Sequence, residues 1–134
     1  MIDIENDINE KIETLIAAQY PNALLTNEEF NNVPSTFPAI SIHEVDNYVD
    51  VTTQDSSSNE NHDIVMYEVE VYTSGTDSKK QDAKTIMKVI DAELIKLGFT
   101  RTMKNPIPMQ DTTKYRLLCR YEAKVGKDKT IYRR

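Results

Sequence analysis

The sequence predicts an α+β fold, a two-layer sandwich in which a mainly antiparallel sheet carries two amphipathic helices on one face and a long β-hairpin arm. Three observations carry this prediction. Segments 3–19 and 76–98 repeat apolar residues every three or four positions, the period of one helix face. Stretches 39–53, 64–73 and 114–125 are rich in β-branched and aromatic residues, and the last two alternate apolar with polar, as half-buried strands do. The order is helix, strands, helix, strands, which suits hairpins under a helix layer.

The first helix, "DIENDINEKIETLIAAQ", places Ile4, Ile8, Ile12, Leu15 and Ile16 on one stripe. Asp3, Glu5 and Asp7 crowd its start, where the helix dipole favours negative charge, and Pro21 stops it. Ala23–Thr26 is a candidate short strand, followed by a turn-rich stretch bracketed by Pro34 and Pro38. In 39–53, Ile40 and Ile42 have one parity while Val45, Val49 and Val51 have the other. One uninterrupted strand cannot bury both sets, so a bulge is expected near His43–Asn47. In 64–73, Val65, Tyr67, Val69 and Val71 point one way and Glu68 and Glu70 the other. The polar stretch "QDSSSNENHD", 54–63, joins these two strands and reads as the tip of a hairpin arm.

The second helix buries Ala83, Ile86, Met87, Ile90, Leu94 and Leu97, with Ser78 and Gln81 as a candidate capping box and Gly98 as its stop. Its lysines, Lys79, Lys80, Lys84 and Lys88, fall on or near the outer side. Phe99–Arg101 begins a strand and 105–113 reads as a loop. In 114–125, Tyr115, Leu117, Cys119, Tyr121, Ala123 and Val125 face inward, while Lys114, Arg116, Arg120, Glu122 and Lys124 face outward. The whole of 1–134 reads as one domain, with 126–134 a flexible basic tail.

Composition narrows the function. No apolar run is long enough to span a bilayer, and the acidic start "MIDIENDINE" fits neither a signal nor a transit peptide. A single cysteine, Cys119, excludes an internal disulfide and fits a reducing compartment. The formal net charge is −6, but it is unevenly distributed. Residues 1–70 hold 15 Asp/Glu against Lys11 alone, and residues 71–134 hold 15 Lys/Arg against 7 Asp/Glu. Such asymmetry suits pairing within one molecule, self-association of acidic with basic parts, or nucleic-acid binding by the basic half.

Chemistry-bearing motifs are scarce. The sequence has no GxSxG, HExxH, CxxC or P-loop, and Gly75, Gly98 and Gly126 cannot build a phosphate cradle. His43 and His62 read as strand and loop residues rather than catalysts, and Cys119 as a small buried group. Asp55, Ser57, Asn59, Asn61 and Asp63 imitate the start of a calcium loop, but Glu60 stands where the turn glycine belongs and Met66 where the bidentate Glu belongs. No catalytic, cofactor or metal residue is therefore expected. A nucleic-acid reader would use Lys114, Arg116, Arg120 and Lys124, yet the tyrosines that could stack bases point inward.

The succession of an acidic helix, a "FPAISI" strand, a polar excursion, "YEVEVYTSG", a lysine-rich helix ending in "LGF" and "YRLLCRYEAKV" resembles the tail terminator proteins of long-tailed bacteriophages, also called tail completion or tail-to-head joining proteins. The likeness covers about residues 4–125 and is tightest from Tyr67 to Ala123. It implies a structural virion protein without enzymatic activity or cofactor. Such a protein assembles in the host bacterial cytoplasm into a ring, hexameric in that family, at the head–tail interface. The ring caps the tube built by the major tail tube protein, stops its polymerisation, meets the head completion or connector protein, and lets DNA pass without specific binding. Other small head–tail connector proteins share parts of the pattern, and a dimeric α+β binding module is the alternative outside that class. No residue transfers as a family motif. On charge and position, Asp55, Ser57, Asn59, Glu60, Asn61 and Asp63 are expected to face the tail tube or channel. Lys79, Lys80, Lys84, Arg116 and Arg120 are expected at the subunit interface.

Overall fold

The computed structural model describes residues 1–30, 32–53 and 61–132. Helix α1 spans Glu5–Gln19 and α2 spans Lys79–Leu97. The strands are β1 (Leu24–Thr26), β2 (Ala39–Val49), β3 (His62–Ser74), β4 (Thr100–Ile107), β5 (Lys114–Gly126) and β6 (Ile131–Tyr132). Their order in the single sheet is β1-β2-β3-β5-β4, and β6 pairs with β5 beyond the end of β4. Every pairing is antiparallel except that of β1 with β2. This is the expected α+β sandwich.

The core lies between the sheet and the two helices. Ile8, Ile12 and Ile16 of α1 and Ile86, Met87, Ile90 and Leu94 of α2 close over Val65, Tyr67, Val69, Val71, Leu117 and Tyr121. A bulge falls between Glu44 and Asp46, inside the expected interval. Its extra residue, Val45, is exposed rather than restored to the core, and Val51 leaves the strand for a 3-10 turn at Val51–Thr53. Gly98 ends α2 with φ 115°, and a Cβ there would meet Ile131 Cγ2 at 2.9 Å, so both backbone conformation and space require glycine. Ser78 starts α2 without the expected side-chain cap and instead donates to Asp82 Oδ2 at 3.0 Å.

Three expectations are corrected. The 105–113 loop begins later, because β4 continues through Pro106 to Ile107. Pro106 is tolerated there because an edge strand need not donate outward. The strand 64–73 is buried on both faces rather than half-buried. Parts of the chain between β1 and β2 cross the outer face: Ser41 Oγ donates to Glu28 O at 2.8 Å, and Phe30 packs edge-on against Tyr72 at 5.3 Å. The flexible tail at 126–134 is corrected for its described part. Gly126 N donates to Thr130 O at 2.9 Å, Lys129 turns the chain with φ 65°, and Ile131–Tyr132 add to β5. The apolar pair inside the basic tail explains this return, since Ile131 packs against the core beside Gly98. Arg133 and Arg134 lie outside the described residues.

Candidate assembly surface

The sheet order sorts the charge. The acidic first half supplies α1, β1 and β2 at one end of the sheet, and the basic second half supplies α2, β4 and β5 at the other. Where the halves meet, on the outer face of β3 and β5, they neutralise each other. Glu70 accepts from Arg116 Nη2 at 2.9 Å and Nε at 3.2 Å, and from the Tyr72 hydroxyl at 3.0 Å. Glu68 accepts from Arg120 Nε at 3.0 Å. Register causes both pairs, since Tyr72 lies opposite Arg116 and Glu68 opposite Arg120 in the β3–β5 ladder.

The two carboxyls differ in environment. Burial would raise Glu70, but the guanidinium of Arg116 and the neighbouring hydrogen bonds outweigh it and hold Glu70 below its ordinary value. Burial raises Glu68, and the adjacent Glu70 adds to the rise against the pull of Arg120. Glu29 brings a third carboxylate within 4.8 Å of both. Arg116 and Tyr72 already engage both Glu70 oxygens, so the group works as a salt-bridge network.

The two ends of the sheet are less balanced. At the β2 end, Glu5 Oε2 accepts from the backbone N–H of Glu44 at 2.6 Å and so covers a strand-edge donor that β1 does not reach. The Asn47 amide bridges Ile2 O at 2.8 Å and Glu44 Oε1 at 3.2 Å. Burial raises Glu44, the Asn47 bond opposes this, and the charges of Glu5, Asp3 and Asp63 add to the rise. Burial is the main cause, and the three neighbouring carboxylates mark this end as acidic. At the β4 end, Lys84 and Lys88 of α2 stand one turn apart over Arg101 and Lys104 of β4 around a cavity of about 330 Å³.

The residues expected to act divide accordingly. Asp55, Ser57, Asn59 and Glu60 lie outside the described residues. Asn61 is half-buried at the hairpin base, where its carbonyl accepts from Lys127 N at 3.2 Å. Asp63 is corrected: it is fully buried on the helix side of β3, with Oδ2 accepting from Ile2 N at 2.9 Å. Parity decides this, because 63 shares the inward side with Val65 and Tyr67. Lys80 is exposed, Lys84 lines the basic cavity, and the Lys79 carbonyl accepts from Thr73 Oγ1 at 2.6 Å. Arg116 and Arg120 occupy the outer face in pairs within the molecule rather than the free flank. Arg101 and Lys104 went unsingled in the sequence; a basic pair three residues apart on a strand after a lysine-rich helix was the available signal. The β4–β5 register places them opposite Tyr121 and Cys119, on the helix side.

Neither helix is long and apolar enough to cross a membrane. The chain matches no protein-family model, and the comparison with curated proteins returns no match.

Proposed function

We propose that this chain is the subunit of a ring at the head–tail junction of a long-tailed bacteriophage, a tail terminator that caps the tail tube and joins it to the head connector. In this reading it does structural work without catalysis, and DNA passes through the ring. The observation that carries the proposal is the segregation of charge to opposite ends of one sheet. A ring of identical subunits needs two different faces that fit each other, and oppositely charged ends supply orientation and encounter rate for such a contact. The succession of elements that resembles this family, from the acidic helix to "RYEA", folds as one sandwich.

The test is mass and shape. Light scattering and negative-stain microscopy are expected to find particles of about six copies with an open centre, each copy of 15.4 kDa. A tight twofold dimer at all concentrations would replace this reading with that of a binding module. The polar segment between β2 and β3 gives a second expected result. Those strands pair as far as Val49 opposite Asp63, so a short turn in place of 54–60 leaves the ladder intact. Such a variant is expected to fold and to assemble but to fail in joining tails to heads, read as infectious particles recovered in an in vitro complementation. Normal joining would remove the segment from the contact with the tail tube.

A further inference from the structure

The geometry points to one specific contact between copies. We propose that the basic cavity of Lys84, Lys88, Arg101 and Lys104 receives the acidic β2 end of a second copy, chiefly Glu13, Glu44 and Asp46. The inference rests on the ring reading above and names its interface.

The cavity is lined by four basic residues and one acidic residue. Its one carboxylate, Asp91, is committed to Arg101 at 2.8 Å and to the Tyr121 hydroxyl at 2.7 Å. Among the described residues no ion pair is formed by Lys84, Lys88 or Lys104, so the lining carries three lysines without a salt-bridge partner. Met87 and Cys119 line it as well, which lowers the local dielectric and strengthens attraction for a carboxylate.

The opposite end presents the complement in charge. The bond from Glu5 to β2 sets α1 over that edge. Glu13 follows Glu5 by eight residues, a turn of about 80° about the helix axis, which keeps it on the edge side of α1. Asp7 leans the other way, toward Lys129 at 3.8 Å. Glu44 and Asp46 flank the bulge of β2, Glu44 beside Tyr67 on the helix side and Asp46 beside Met66 on the outer face of the same end. The basic cavity at one end therefore meets carboxylates spread around the opposite end, from the helix layer to the outer face, when copies follow head to tail.

Strand addition does not explain the contact as well. β4 carries Pro106 and a bulge between Arg101 and Met103, and β2 has its Glu44 N–H covered by Glu5; both features resist edge-to-edge pairing. A polyanion such as DNA fits the cavity but is repelled by the acidic end of the same molecule.

The test uses two charge-reversed full-length proteins. One carries Lys84→Glu and Lys104→Glu; the other carries Glu13→Lys and Asp46→Lys. All four positions are on the surface, and circular dichroism with thermal melting verifies folding. Each protein alone is expected to associate at least about tenfold more weakly than the wild type at about 20 mM salt, with a smaller deficit at about 500 mM. Mixed in equal amounts they are expected to regain the wild-type mass, because reversed basic ends meet reversed acidic ends in alternation. If each variant assembles like the wild type, or if the folded mixture stays dissociated, this interface is wrong while the ring reading stands. If the wild type itself remains monomeric at low salt up to millimolar concentration, the ring reading falls as well. Duplex DNA binding lost in the lysine variant, with self-assembly unchanged, assigns the cavity to nucleic acid and overturns the proposal.

Discussion

Arg116→Ala is expected to destabilise the fold by about 3 kcal/mol, at the lower end of the range for breaking a buried ion pair. The side chain of Glu70 is 0% exposed and that of Arg116 24%, so removing the guanidinium leaves a buried carboxylate with the Tyr72 hydroxyl and the neighbouring Glu68 carboxyl beside it and no cation. The partial exposure of Arg116 admits some water, which sets the lower end. Arg120→Ala is the internal control. Arg120 is 45% exposed and Glu68 9%, so its loss is expected to cost about 1 kcal/mol or less. Replacing Glu70 and Arg116 together by methionine is expected to recover most of the deficit, because no charge is then stranded.

The pH dependence follows from the sign of the shift. Glu70 is held below its ordinary 4.5, so in the wild type its contribution is present above that value and is lost as pH falls through the depressed one. In Arg116→Ala, burial loses its chief opponent and Glu70 rises from its wild-type position, so the variant lacks the stabilisation that the wild type gains as pH rises through 4.5. The gap between the two proteins is therefore largest near neutrality and closes in acid. Urea denaturation at a series of pH values reads it directly. A gap of constant size would show that Arg116 acts through packing over Tyr72, whose ring centroid lies 5.4 Å from its guanidinium carbon, rather than through Glu70.

Phe99→Ala is expected to remove about 3–5 kcal/mol, a large share of the total stability of such a domain. Phe99 is fully buried directly after the Gly98 stop, and its ring meets Tyr67 edge-on at 5.4 Å. It joins the end of α2 to the centre of the sheet, so the cavity left behind cannot close without moving either. Phe99→Leu keeps most of the volume and is expected to lose less than half as much. Equal losses for the two would mean that the aromatic contact, not the volume, holds this corner. Denaturation midpoints at unchanged m-value make the comparison.

Both results depend on features that the chain reveals to different degrees. The helices, the bulge in β2, the inward set of β5 and the glycine stop were legible locally, because hydrophobic period, parity and turn chemistry act over a few residues. The halves of opposite charge were also visible as a count. Their place was not. Glu68 and Glu70 read as solvent-facing by parity, but parts of the chain between β1 and β2 cross that face, and the β3–β5 register turns Arg116 and Arg120 from free cations into partners. Asp63 read as part of a polar tip until the β3 register carried it into the core.

What the sequence determined by itself was the list of elements and which side of each is apolar, since those depend on neighbours in the chain. Only the tertiary structure decided which charges cancel and which remain exposed. Strand order is set by contacts between residues far apart in sequence, and it is strand order that places one acidic and one basic end on the same sheet.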